Sequence, residues 1–161
     1  MNPTLPDLYT ICDQVWTRMV LPTIELMERQ EIFLSARGTI AVIPPKTDDM
    51  PQPDVIFIET VRDVPEDEKY TKVALSKARI SAQHGLPTSY IQNRAPYLYQ
   101  DGDTKWGGST VGYGGITVAF SGQTEVFDQM IAEWMLSGIT ALYCTHMKDA
   151  LSTDGTFLTI K

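Results

Sequence analysis

Two short runs of β-branched and apolar residues lie near each other in the chain and restrict its fold more than any other feature. The first covers residues 39–43 and ends at Pro44 and Pro45. The second covers residues 54–61, and a polar loop rich in turn formers joins the two. This arrangement is typical of a β-hairpin whose connection is longer than a tight turn. We therefore predict a mostly antiparallel sheet covered by helices, an α+β fold rather than a parallel doubly wound α/β fold.

Helical periodicity appears at both ends of the chain. Over residues 7–30 the apolar residues recur three and four positions apart, with Asp7 as a suitable N-cap. Pro22 lacks a backbone N–H, so it predicts a break near residue 21. A long apolar stripe over residues 125–147 predicts the last helix.

The segment 66–84 gives the clearest helix prediction. Acidic residues stand in its first turn, basic residues come later, and Gly85 follows its end. Its predicted inward face carries small side chains, including Ala74, Ala78 and Ser81. Small side chains allow a helix to approach a sheet closely.

Residues 85–114 are rich in Gly, Pro, Tyr, Asn and Asp and show no long period, although 88–91 suits a brief strand. Residues 116–120 predict a third strand, with Ile116, Val118 and Phe120 on one face. The predicted order is α-β-β-α-β-α. We expect one domain spanning residues 1–161, since 161 residues is a common size for a single core.

Composition limits the classes of partner. The chain has 13 basic and 20 acidic residues and a net charge of -7, which repels nucleic acid. No apolar run reaches the roughly 20 residues that cross a bilayer, and the N-terminus lacks a secretory signal pattern, so we expect no membrane partner and a cytoplasmic location. Cys12 and Cys144 both fall in apolar helical patterns and are predicted to be buried free thiols.

Three residues are candidates for catalysis. Lys77 lies on the small-residue face of its helix, where burial would lower its pKa and make it a base or an anion anchor; the alternative is a stem on apolar surface with its ammonium in water. Asp128, one turn into the last helix, stabilises the helix dipole or acts as a general base. As a base it needs a partner, for which Lys77 and Tyr113 are the candidates.

Further residues are candidates for ligand binding. Arginines suit bidentate contact with a carboxylate, and Ser121-Gly122 precedes a helix N-terminus that favours anions. The glycines near residue 115 form either a flexible rim or a β-hairpin. The sequence lacks recognised metal, nucleotide and serine-hydrolase motifs, so no metal site is predicted. The predicted ligand-binding residues are Arg62, Arg79, His84, Tyr90, Trp106, Gly115, Ser121 and Gly122.

Two blocks of the chain resemble the GlcG/HbpS family, whose members are heme-binding-protein-like. In the first block the matching positions are Arg62, Asp63, Lys77, Ala78, Pro87 and Thr88. In the second block they are Gly107, Gly108, Gly115, Ile116, Val118, Ser121, Gly122, Asp128 and Ala132. The resemblance implies a profilin-like fold, a homo-oligomer, and in some members the binding of heme.

Three hypotheses for function follow. The first is an oligomeric protein that binds a small organic ligand, with heme as one candidate, in a pocket between the second helix and residues 85–122. The second is a cofactor-independent isomerase or lyase that acts on a small organic acid or carbonyl compound in the same pocket. The third is an assembly subunit whose interface includes Phe127, Trp134 and Met135.

Overall fold

A four-stranded antiparallel sheet forms the centre of the fold. The computed structural model describes residues 7–51, 53–63, 65, 68–112 and 114–151. The strands are β1 (Thr39–Ile43), β2 (Phe57–Thr60), β3 (Ser109–Val111) and β4 (Thr117–Ser121), and their order in the sheet is β2-β1-β4-β3. Every pair is antiparallel, so the predicted fold class is confirmed.

Two strands differ from the prediction. β2 begins at Phe57 rather than at residue 54. Before it, the Asp54 carboxylate accepts the N–H of Val55 at 2.8 Å, and the Ile56 N–H donates to the Val42 carbonyl at 2.9 Å. β3 lies inside a segment predicted to be largely irregular. It has only three residues and gives no apolar run in the sequence, yet its Ser109 pairs with Ala119 of β4.

The first helical segment is broken close to the predicted position. It consists of α1 (Leu8–Val15), a π-helical turn (Trp16–Val20) and α2 (Leu21–Arg29). The Asp7 carboxylate accepts the N–H of Thr10 at 2.7 Å, which confirms the predicted cap. Pro22 stands in the first turn of α2, where its missing N–H is tolerated. The chain accommodates this proline by widening the preceding turn.

The remaining helices are α3 (Glu68–His84), α4 (Thr88–Arg94) and α5 (Glu125–Leu151). The strand predicted at 88–91 is wrong, because this segment begins α4. The carbonyl of Pro87 accepts the N–H groups of Tyr90 and Ile91 at 3.0 and 3.1 Å, and Ile91 is fully buried. With α4 and β3 added, the described order is longer than the predicted α-β-β-α-β-α.

Helices cover both faces of the sheet. Val118 and Phe120 of β4 pack with α1, α2 and α5 on one face, as the predicted alternation requires. On the other face Ala119 packs with Ala74 and Ala78 of α3. Alanines make up most of the cluster between α3 and the sheet, which also contains Ile43, so the helix packs closely on the strands.

The surroundings of these elements bear on three expectations. Met135 is completely buried within the chain, whereas Phe127 and Trp134 are partly buried against the same core, and their part in a subunit interface stays a prediction. Cys12 is buried as predicted, whereas Cys144 is exposed because it lies on the outer side of α5. Among the helices that the structure describes, none is long and apolar enough to cross a membrane.

Candidate functional site

A buried ion pair joins α3 to the start of α5. The Lys77 ammonium lies 2.8 Å from Asp128 Oδ2 and donates a second hydrogen bond to the Phe120 carbonyl at 3.0 Å. The two side chains are only 1% and 5% exposed. The structure therefore supports the predicted partnership of Lys77 and Asp128, and it rejects the alternative of a solvated ammonium.

Asp128 also organises the turn before α5. Its Oδ1 accepts the backbone N–H of Gln123 at 2.8 Å, while Oδ2 holds Lys77. The Gln123 side chain donates to the carbonyls of Ser35 and Arg37 at 2.8 and 3.0 Å. One carboxylate thus links α3, α5 and, through Gln123, the segment before β1.

Burial and ion pairing have opposite effects on the pKa values of this pair. Desolvation raises the pKa of the Asp128 carboxyl to about 6, although the Lys77 ammonium and the N–H of Gln123 act in the opposite direction. Desolvation also lowers the pKa of the Lys77 ammonium against the attraction of Asp128. Burial therefore brings the pKa values of the carboxyl and the ammonium closer together, and their mutual attraction opposes this change.

Gly108 gives the ion pair its space. A Cβ at this position would stand 2.6 Å from Asp128 Cβ, 2.8 Å from Lys77 Nζ and 3.0 Å from the Phe120 carbonyl oxygen. The φ angle of Gly108 is +123°, which side chains rarely adopt. The residue was recognised in the sequence only as part of a Gly-Gly pair, and its contact with Lys77 and Asp128 could not be read from that pattern.

A cleft of about 460 Å³ opens beside the pair. Its walls include Tyr70 and Val73 of α3, Trp106, and the turn 121–124 at the start of α5. The segment that carries Trp106 is anchored to α3 by the Thr104 N–H, which donates to Ser76 Oγ at 3.1 Å. Lys77 and Asp128 lie at one wall of this cleft. The accessible surface of the cleft is mainly apolar, although polar residues, among them Lys69, Gln123 and Glu125, line it as well.

The structure brings together five of the predicted site residues. Lys77, Asp128, Trp106, Ser121 and Gly122 all line the cleft. The sequence prediction missed Lys69, Tyr70 and Gln123, which line it too. Tyr70 stands seven residues before Lys77, so helical spacing could have placed it on the same face. Tyr113 lies outside the described residues.

The other predicted residues lie elsewhere, so the expectation of one shared pocket is not met for them. Arg62 follows edge strand β2 and pairs with Glu28 of α2 at 2.6 Å. Gly115 lies at the β3–β4 turn, against Pro45. Since Thr117 begins β4 and Ser121 ends it, this turn is at the opposite end of the strand from the cleft.

Three more residues are directed away by their positions on helices. Arg79 lines a different cleft, at the side of α3. His84 is the last residue of α3, two turns or about 10 Å along the axis from Lys77. Tyr90 lies on α4, 50% exposed, and is absent from the walls of both clefts.

Comparison with known proteins identifies the fold but no function. No protein-family model and no curated protein sequence matches this chain. The crystal structure of Klebsiella pneumoniae protein ORFY, a DUF336 protein, superposes with a TM-score of 0.55 and 16% sequence identity. The match covers 88% of this chain and 97% of that chain. The chain shares the fold of a DUF336 protein. DUF336 corresponds to the GlcG-like proteins, so the predicted resemblance is supported at the level of the fold.

Proposed function

We propose that the protein binds a small polar organic molecule in the cleft beside Lys77 and Asp128. The observation that carries this proposal is a buried ion pair at one wall of a cleft whose accessible surface is mainly apolar. Small-molecule sites commonly combine apolar walls with a few convergent polar groups, and charged groups with perturbed pKa values concentrate in them. A buried ion pair contributes little net stability on its own, which leaves a role in binding as the better account of this one.

The hydrogen bonds of the pair suggest which chemical groups fit. A lysine ammonium has three N–H donors, and the described acceptors, the Phe120 carbonyl and Asp128 Oδ2, use two of them. The third suits an oxygen of a ligand. Lys69 and the N-terminus of α5 add positive potential at the rim, and Glu125 opposes it. A small organic acid that carries a carbonyl or hydroxyl group meets these demands.

Heme fits the described cleft less well. Its usual protein ligands are His, Cys, Met and Tyr, and of these side chains the cleft offers only Tyr70 among the described residues. His84 lies outside the walls of the cleft. Lys77 Nζ is already held by Asp128 and Phe120. We therefore consider a small organic acid a better candidate ligand than heme. An absorption spectrum of the protein with added heme tests whether heme binds.

The binding proposal is tested with pyruvate and lactate as probes. We expect either acid to shift the amide NMR signals of residues 121–125 and the indole N–H signal of Trp106, which a Trp106→Phe variant assigns. Lys77→Met should remove the shifts. Because that variant can lose its fold, Lys69→Gln at the rim provides a second test and should weaken binding. Lys72→Gln is the matched control, since Lys72 is an exposed residue of the same helix that pairs with Glu68 at 2.9 Å.

Two results would overturn the proposal for organic acids. One is the absence of any cleft signal that moves with either probe. The other is binding that Lys69→Gln and Lys77→Met leave unchanged while both variants remain folded. That the protein forms a homo-oligomer also stays a prediction. The mass of the native particle gives its number of subunits.

A second candidate function is proton transfer on a carbonyl compound in the same cleft. The observation that favours it is the 2.8 Å contact between the Asp128 carboxyl, whose pKa burial raises to about 6, and an ammonium that can donate a hydrogen bond to an enolate oxygen. In such a reaction Asp128 removes a proton from the carbon next to the carbonyl, and Lys77 stabilises the oxygen. Protein-dependent exchange of the methyl protons of pyruvate in D₂O, absent in Asp128→Asn, would separate this function from binding alone.

A further inference from the structure

A second cleft, of about 570 Å³, lies at the other end of the sheet. Ile43, which lines it, ends β1 and pairs with Thr117 of β4, whereas Ser121 of the first cleft pairs with Thr39. Four residue steps of a strand separate the two ends, or about 13 Å. The two clefts are therefore distinct sites.

The loop that follows β1 is folded into a defined shape and forms one wall of this cleft. Thr47 and Met50 exchange backbone hydrogen bonds of 3.1 and 3.0 Å, and the N–H of Met50 also donates to Thr47 Oγ1. Lys46 Nζ donates to the Gln83 carbonyl of α3 at 3.3 Å. Pro51 and Pro53 supply stiff apolar surface facing the cleft.

Two cationic side chains of this cleft, Arg79 and Lys46, make only long contacts with other residues of the protein. Arg79 Nη2 lies 3.5 Å from Asp54 Oδ1, with side chains 62% and 82% exposed, and an ion pair of this kind contributes little. Asp54 Oδ1 accepts a shorter hydrogen bond, of 2.8 Å, from the N–H of Val55. Lys46 has one long hydrogen bond to a neutral carbonyl. With one carboxylate and two cations, the ionisable side chains of the cleft sum to a charge of +1, in a protein whose net charge is -7.

We propose that this cleft is a second binding site, which takes a small carboxylate with an apolar body. The ligand carboxylate bonds to the guanidinium of Arg79, whose planar fork matches it, and Lys46 neutralises it from the loop side. The apolar body packs on Pro51, Pro53 and Ile43. Asp54 stays bonded to its own backbone while Arg79, with five N–H donors, turns toward the ligand.

The experiment uses benzoate as the probe on the full chain. Benzoate should shift the amide NMR signals of residues 43, 46–50 and 79–83, and benzyl alcohol, which keeps the ring and lacks the charge, should not. Arg79→Gln should weaken benzoate binding by about tenfold or more, as expected for a lost charge-assisted hydrogen bond. Lys46→Gln should weaken it by a smaller factor. Lys72→Gln, on the same helix, should leave it unchanged.

Any of three outcomes overturns the proposal. The first is no shift at these amides with benzoate at its solubility limit. The second is equal benzoate binding by the wild type and by Arg79→Gln. This variant is expected to fold because the Arg79 side chain is exposed. The third is benzoate shifts confined to Trp106 and residues 121–125, which would place the probe in the first cleft. If benzoate does not bind in the second cleft, the proposal for the first cleft still stands, because the two proposals are tested with different variants and different NMR signals.

Discussion

Replacing Gly108 by alanine should separate the buried ion pair without touching either of its charged residues. The added Cβ would meet Asp128 Cβ at 2.6 Å and Lys77 Nζ at 2.8 Å, distances that real Cβ atoms essentially never show. Overpacking of this kind destabilises by about 1–3 kcal/mol. The φ of +123° adds about 1–3 kcal/mol for a residue with a side chain. We expect a total loss of about 4 kcal/mol in the free energy of unfolding.

Gly102→Ala is the matched control for the backbone effect. Gly102 also has a positive φ, +89°, but a Cβ there would meet nothing within 4 Å. Urea unfolding of the two variants therefore isolates the steric contribution as their difference, about 1–3 kcal/mol.

A second measurement on Gly108→Ala follows the ion pair itself. As Lys77 moves away from Asp128, the pKa of Asp128 should rise above about 6, because the ammonium is the largest of the effects that oppose desolvation. Carbon-13 NMR of the carboxyl group measures it. Equal losses of stability for the two glycine variants, together with an unchanged Asp128 pKa, would refute the role assigned to Gly108.

Three further predictions concern the pair and the thiols. Lys77→Met should destabilise the fold by about 3–5 kcal/mol, since it leaves a buried carboxylate without its cation, and Lys77→Met/Asp128→Asn should recover most of this loss in urea unfolding. Because the folded pKa of Asp128 is raised from 3.8 to about 6, its contribution to stability is fully present below pH 4 and is lost as the pH rises through 6. The stability difference between Asp128→Asn and the wild type should therefore change by about 2 kcal/mol between pH 4 and 7, and a difference constant with pH would contradict it. A thiol reagent should modify the exposed Cys144 rapidly and Cys12, whose pKa burial raises to about 12, only upon unfolding; two equally reactive thiols would contradict the packing of α1.

Local pattern predicted the parts of the fold that depend on local chemistry. The antiparallel pairing of β1 followed from two runs joined by a loop, and α3 followed from its charge order and its small inward face. α4 was mistaken for a strand because 88–91 is too short to show a helical period. β3 has no signal of its own, since its three residues are held by pairing with β4.

The site was predictable in its centre and not at its edges. Lys77 stands out because a long cation interrupts a face of small residues, and this contrast is visible in the sequence. Its contact with Asp128 spans 51 residues and depends on how α5 meets the sheet, which no local pattern records. Arg79 was grouped with it on residue type alone, and Arg62 on residue type and on the family resemblance. Their directions are set by the end of β2 and by the turn of α3, respectively.

The contacts of the ion pair also restrict which substitutions can accumulate at these positions during evolution. Positions 77, 108 and 128 share one small volume, so a change at any of them alters what the other two can be. A lineage that loses the lysine gains from losing the carboxylate, because a buried charge without its partner is destabilising. We expect these three positions to vary together among descendants of this chain. Positions 46, 54 and 79, which face solvent, should vary with far weaker dependence on one another.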